Sequence, residues 1–335
     1  MSKKKLLLIS PSSFNLYQLI LRNLEYLGYE VVHIEDQGYK FQYTSLLQRI
    51  YNFIRKVFLN DRYYKEKLKK AYISIKQREI LYACDSFDIA LVLRADYFKP
   101  DIISLARQKA KQMISFHFDG ISRDPNVLEY VHFFDQFYVF DKDDLKKYPS
   151  YNLLYSPNFY LDYPGLLKDS YDRHYNVYYV STFHESRVQD LIAIHQYMTA
   201  HYSKVKFVVV CSQDYDSKPP DYVVENMEIR KETVSFDEQL QHVANADIIL
   251  DLVISDHKGF SFRILEGIKF GKKVITTNPK VIEADFFHPS NFFILTDDNY
   301  DDIAAFLNTP YSNIDPKIIE KYSFSSWLQS KIKRL

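Results

Sequence analysis

Apolar positions along the chain alternate between two spacings, and that alternation predicts the fold class. Residues 5–10 form a short continuous apolar run, the pattern of a strand covered on both faces. Leu16, Leu19, Ile20, Leu24 and Leu27 then recur at helical spacing, with Asn15 where a cap belongs and Gly28 where a helix ends. Strands are predicted at 30–35, 88–94, 112–118 and 136–140, and helices at 44–59, 61–83, 99–110 and 126–132. Strand and helix in succession point to a parallel sheet with helices on both faces.

The rhythm breaks at 156–172, where Ser156-Pro157-Asn158, Asp162-Tyr163-Pro164-Gly165 and a polar stretch read as a linker. It then resumes with strands at 176–181, 205–211, 227–230, 247–253, 273–277 and 291–296. Helices are expected at 186–201, 236–245, 262–270, 299–308 and 316–334. The pattern predicts an α/β protein of two Rossmann-like domains facing a cleft. A first domain covers 1–156, a linker 157–172 and a second domain 173–315, and a helix at 316–335 packs back toward the first domain.

Length agrees, since 335 residues suit two domains of about 150 each. Lysine plus arginine and aspartate plus glutamate both number 43, so no charge excess argues for a nucleic-acid partner. Cys84 and Cys211 lie far apart in apolar surroundings and read as buried thiols. The apolar run after Met1-Ser2-Lys3-Lys4-Lys5 is too short for a signal peptide, and no stretch is long enough to span a membrane, so a cytoplasmic location is expected. The many tyrosines and phenylalanines fit an AT-rich codon bias and argue little for sugar binding.

Charge is unevenly spread. The 46–59 helix places Leu46, Leu47, Ile50, Phe53, Ile54, Val57 and Phe58 on one stripe beside Arg49, Arg55 and Lys56. Residues 61–83 add Arg62, Lys65, Lys67, Lys69, Lys70, Lys76 and Arg78 against Asp61, Glu66 and Glu79. Such helices suit an anionic membrane surface through residues 46–83. A stripe buried in the core with a merely solvated basic face fits the same pattern.

The segment from Asp256 to Asn278 carries the clearest chemistry. It reads as loop, helix, glycine and strand. Gly259 permits close backbone approach, and Ser261 stands at a helix N-cap, so amides near Phe262 can face an anion. Arg263 adds a fork suited to phosphate, and Glu266, a turn later, suits a ribose diol.

This segment resembles the donor-binding element of GT-B glycosyltransferases, in which a Gly-Phe-Gly run precedes a helix bearing Glu and a Gly-Lys-Pro-Val-Ile-type strand. The matching residues are Gly259-Phe260-Ser261, Glu266 and Gly271-Lys272-Lys273-Val274-Ile275. The resemblance implies that the domain over 173–315 is the donor side and that over 1–156 the acceptor side, and that Glu266 holds the ribose and the amides near Ser261 the diphosphate. Many retaining members carry a second Glu directly before the Gly-Phe pair; Lys258 stands there instead.

Tyr178-Tyr179-Val180-Ser181 and Arg187 are similar to the Phe-Val-Gly-Ser…Arg opening of this domain in bacterial members related to lipopolysaccharide-core and spore-maturation transferases. Ser181 takes the place of the usual Gly, and Arg187 in the first helical turn is placed to reach a diphosphate. Arg230 is counted with the same donor-binding group.

In the first domain, Ser115-Phe116-His117-Phe118-Asp119 ends a predicted strand at the edge where such sheets border their ligands. His117 and Asp119 are expected on one face, resembling the His/Asp loop that meets the transferred sugar, and are the catalytic candidates. Ser12, Ser13 and Asn15 are expected to line the acceptor cleft. No His, Cys or acidic spacing predicts a metal, and no cofactor is expected beyond a nucleotide-sugar donor.

Glycosyl transfer to a growing surface glycan or lipid-linked glycan is therefore the leading expectation. A nucleotide-sugar epimerase on the same architecture would call for further acidic and His motifs, which are missing. A non-catalytic glycan-binding or assembly protein is the third reading. A dehydrogenase would need a Gly-X-Gly-X-X-Gly after a first strand, and neither domain has one.

Overall fold

The computed structural model describes residues 3–61, 63–167, 174–211, 218–254 and 258–332. Arg62, residues 168–172 of the expected linker, Asp256 and His257 at the head of the donor segment, and the last residues of the final helix lie outside them. The first half consists of β1 (Lys5–Ile9), α1 (Leu16–Tyr26), β2 (Glu30–Ile34), α2 (Leu46–Phe58), α3 (Tyr63–Tyr82), β3 (Phe87–Leu93), α4 (Pro100–Lys109), β4 (Ala110–His117), β5 (Gln136–Val139), α5 (Lys142–Lys147) and β6 (Leu153–Tyr155). Its sheet runs β2-β1-β3-β4-β5-β6 with every described pair parallel.

The second half follows with β7 (Tyr175–Thr182), α6 (Val188–His201), β8 (Val205–Val210), α7 (Asp221–Asn226), β9 (Glu228–Arg230), α8 (Phe236–Ala244), β10 (Ala246–Asp251), α9 (Phe262–Phe270), β11 (Lys273–Thr276), β12 (Phe292–Ile294), α10 (Ile303–Asn308), α11 (Pro316–Lys321) and α12 (Phe324–Ile332). Its sheet order is β12-β11-β10-β7-β8-β9, again parallel. The expected two Rossmann-like domains are present.

The continuous apolar run in β1 is used as a doubly covered strand requires. Leu6 and Leu8 enter one core layer with α1, and Leu7 and Ile9 enter the opposite layer with α4. In the second sheet Val177 and Tyr179 face one layer, and Tyr178 and Val180 the other.

The described part of the expected linker is packed chain. Phe159, Leu161, Tyr163 and Leu166 are buried in the first domain's core, and Tyr160 in the second's. Phe159, Leu161 and Tyr163 recur at every second position, a signal that the neighbouring Pro and Gly residues obscured. The Tyr160 amide donates to the Tyr322 carbonyl at 2.9 Å and the Tyr160 carbonyl accepts from the Phe324 amide at 2.7 Å.

The single helix predicted over 316–334 is broken at Tyr322–Ser323 by that pairing. Beyond the break, α12 returns to the first domain, where the Trp327 ring lies 5.0 Å from Phe116 and 4.8 Å from Phe159. Lys331 is buried there and donates to Ser156 Oγ at 2.7 Å. The helix predicted at 126–132 is a 3-10 helix, Pro125–Phe133. Asn15 has left-handed backbone (φ 60°) and makes no side-chain cap to α1; its side-chain Nδ2 donates to Gln18 Oε1 at 3.0 Å. The three-residue β6 and the short α7 escaped prediction because so few residues carry no periodicity.

Candidate functional site

The C-terminal ends of both sheets point into one cleft of about 670 Å³, the size range of small-molecule sites. One wall comes from the loops after β1, β3 and β4, with Ser12, Ser13, Arg94, Tyr97, Phe118 and Asp119. The other comes from the ends of β7 and β10, the starts of α6 and α9, and α8, with Ser181, Arg187, Gln239, Asp251, Ser261 and Arg263.

On the second wall, Ser261 precedes α9 but does not cap it. Its hydroxyl turns to the buried Asp251 carboxylate at 2.7 Å, which also accepts from Thr276 Oγ1 at 2.8 Å. The first amides of α9 are thereby left without a side-chain cap at the cleft, where the helix dipole favours an anion. Arg263 donates to the Val180 carbonyl at 3.1 Å and lies 3.5 Å from Asp251. Arg187 is largely buried and donates to the carbonyls of Leu252 (3.0 Å) and Thr182, joining the ends of β10 and β7. Ser181 donates to the Tyr179 hydroxyl at 2.6 Å.

Glu266 does not line the cleft. It is 1% exposed and accepts from Gln239 Nε2 at 3.1 Å, with Gln239 between it and the opening. Burial raises its pKa to about 7; the Gln239 hydrogen bond and the positive charges of Arg263 and Lys269 act in the opposite sense.

Several expected residues lie elsewhere. The close approach that Gly259 permits is to the first domain, since a Cβ there would overlap the Phe140 ring. Its neighbours dock on the same side: the Lys258 amide donates to Asp141 at 2.8 Å and the Phe260 carbonyl accepts from Asn158 at 2.8 Å. Residues 258–260 thus hold the two domains together instead of lining the cleft. Arg230 sits in a separate shallow hollow and is ion-paired with Glu228 at 2.5 Å and Glu238 at 2.8 Å.

On the first wall the two catalytic candidates separate. His117 is fully buried, its Nδ1 3.6 Å from Asp96, while Asp119 faces the cleft. Strand alternation would place them together, but β4 ends at His117, and beyond it the strand rule no longer holds. Ser12 faces the cleft with its amide and hydroxyl both donating to Asp36, at 2.8 and 2.9 Å; Asn15 is not among the lining residues.

The central residue of this wall is one the sequence reading missed. Arg94 directly follows β3, is 4% exposed, and has left-handed backbone (φ 54°). It donates to Asp96 at 2.7 Å, to Asp124 at 2.7 Å and to Asp119, and its guanidinium lies 4.8 Å from the Tyr97 ring centre. Burial opposes the guanidinium charge, but hydrogen bonding to Asp96 and the charges of Asp119 and Asp96 outweigh it and push the pKa above its ordinary value. Burial likewise opposes ionisation of Asp96, and the His117 ring 3.6 Å away together with hydrogen bonds from Arg94 hold its carboxyl well below the usual range. A left-handed arginine costs about 1–3 kcal/mol, and such strain persists only where its surroundings fix it. Arg and Asp just beyond a fully buried strand were the available signal.

Among the described residues no group of His, Cys, Asp and Glu is arranged to hold a metal ion. No protein-family model matches the sequence, and no curated protein matches it either. Solved structures do. The lipopolysaccharide outer core galactosyltransferase WaaB, in its apo form, has a TM-score of 0.52 at 13% identity over 99% of this chain and 100% of that one. Sucrose-phosphate synthase from Thermosynechococcus elongatus has a TM-score of 0.60 at 12% identity over 99% and 98%. A glycosyltransferase from Rickettsia africae has a TM-score of 0.53 at 12% identity over 100% and 98%. The fold is therefore the GT-B architecture along the whole chain, as the resemblance of the 256–278 segment implied.

Proposed function

We propose that this chain is a glycosyltransferase that moves a sugar from a nucleotide-activated donor to a growing cell-surface glycan, in the lipopolysaccharide, lipo-oligosaccharide or capsule class. One observation carries the reading: a helix N-terminus with two arginines faces a carboxylate and two serines across a cleft sized for a nucleotide sugar. In this reading the amides of α9, with Arg263 and Arg187, bind the diphosphate and stabilise the charge that develops as it leaves, without a metal ion. Gln239 swings aside and Glu266 accepts the ribose hydroxyls. Asp119, steadied by Arg94 and Arg123, meets the acceptor hydroxyl and directs its proton, with Ser12 and Ser13 beside it. His117 acts from behind, through Asp96 and Arg94.

The acceptor class is supported by the galactosyltransferase among the structural neighbours. A lipid-linked acceptor fits an enzyme of the cytoplasm that adsorbs to the anionic inner membrane face through residues 46–83. Among the described residues no helix is long and apolar enough to cross a membrane.

A thermal-shift panel of nucleoside diphosphates and their sugars tests the donor assignment. The matching ligand at a hundredfold excess over its Kd adds about 2.7 kcal/mol to the native state. Arg263→Ala is expected to abolish that shift. A flat panel at millimolar ligand would refute the reading.

A further inference from the structure

The helix α2 is amphipathic the wrong way round. The residues it turns inward, one turn apart, are polar. Asn52 is buried and donates to the Tyr43 hydroxyl at 2.9 Å, and Gln48 and Arg55 are half-buried on the same side. Arg55 is tied down by Asp61 at 2.6 Å and by the Tyr64 ring at 4.8 Å. The outward face holds Leu46, Leu47, Ile50, Phe53, Ile54, Val57 and Phe58, and Leu46, Leu47 and Phe58 are 76%, 78% and 75% exposed. An apolar stripe this long and continuous on the surface marks an interaction site. The core reading of the stripe is thereby overturned.

Charge selects the partner. Between residues 46 and 82 the sequence has ten Lys or Arg and three acids. All three acids are already ion-paired locally: Asp61 with Arg55, Glu66 with Lys69, and Glu79 with Lys76. A second copy of the chain meeting this face would bring two such cationic surfaces together, whereas an anionic bilayer offers both an apolar interior and opposite charge.

The position also fits. Gln77 of α3 donates to the Glu35 carbonyl just beyond β2 at 2.8 Å, and the next residues, Asp36 and Gln37, reach the cleft's first wall. The α2–α3 pair therefore extends from the acceptor-side rim.

We propose that α2 is an in-plane membrane anchor: its Leu46–Phe58 face sinks among the acyl chains of an anionic bilayer, with the lysines of α3 on the headgroups. This deepens the adsorption reading above and rests on it, because it turns charge-driven attachment into attachment by insertion.

The test uses the full chain with sedimented vesicles of phosphatidylcholine alone or with phosphatidylglycerol, at about 0.05 and about 0.5 M salt, a range over which screening shortens severalfold. Two variants are compared: the uncharged triple Leu47→Gln, Phe53→Gln, Val57→Gln, and Phe53→Trp as a depth reporter. All altered side chains are exposed, so circular dichroism is expected to stay native. The proposal expects binding to phosphatidylglycerol vesicles that survives high salt and falls at least about tenfold in the triple variant. It also expects the indole emission of the Phe53→Trp variant to be quenched by brominated acyl chains, above the background of the native tryptophan. Binding that salt abolishes and the triple variant retains would overturn insertion and leave charge adsorption standing. No binding to any vesicle would overturn both. Self-association removed by the triple variant, without lipid binding, would overturn the anchor in favour of a second copy.

Discussion

Replacing Glu266 by Gln probes the second domain, just behind the cleft wall, through its most perturbed carboxyl. The side chain is enclosed by the second domain and touched by Gln239, and burial raises its pKa from 4.5 to about 7. Between those values the unfolded chain loses the proton while the folded chain keeps it. The unfolded state then binds fewer protons, so stability falls as pH rises from about 4.5 to 7 and levels off above. The rise of about 2.5, from 4.5 to about 7, is worth about 3 kcal/mol at ~1.4 kcal/mol per pKa unit. Glu266→Gln keeps the shape and cannot ionise. Urea unfolding of both proteins from pH 4.5 to 8 is expected to give coincident stabilities at the acid end. At pH 8 the Gln variant is expected to be about 3 kcal/mol more stable, by the same linkage. If Glu266 ionises to accept ribose hydroxyls, nucleotide binding at pH 6 must also release a proton, visible as a buffer-dependent heat. A stability difference that does not vary with pH would refute the burial argument, and proton-neutral binding would refute the ribose assignment.

Gly259→Ala forces a methyl into the Phe140 ring and is expected to cost about 1–3 kcal/mol by thermal or urea unfolding, with Phe140→Ala restoring part of it in the double variant. Arg94→Met leaves Asp96, Asp119 and Asp124 facing one another without their shared cation, a loss of about 3–5 kcal/mol measured by the same unfolding. Asp119→Asn is expected to lower turnover by about 10²–10⁴-fold with nucleotide affinity unchanged by calorimetry, since the residue lies on the wall opposite the proposed nucleotide site.

How far each feature was legible depends on how local its cause is. The strands and helices around β1, α1, β7 and α9 follow from spacings of two and 3.6 within a few residues, so the alternation and the α/β class could be read directly. The start of α9 beside the cleft, with Ser261 and Arg263, was legible for a similar reason: a loop and a helix start lie in one short stretch.

Partners distant in sequence were not legible. Gly259 announces a close approach but not to what, and only the packing of the two domains supplies Phe140. His117 and Asp119 are two residues apart, yet the end of β4 buries one and leaves the other at the cleft. Arg94 gathers Asp96 from the loop after β3 and Asp119 and Asp124 from the loop after β4, a convergence that strand order creates. The stripe on α2 is the clearest division. Periodicity showed that the helix has an apolar face, because spacing along one helix decides that. Whether protein or solvent covers it depends on which side meets the rest of the chain, and the tertiary structure turned Asn52 inward and the apolar face out.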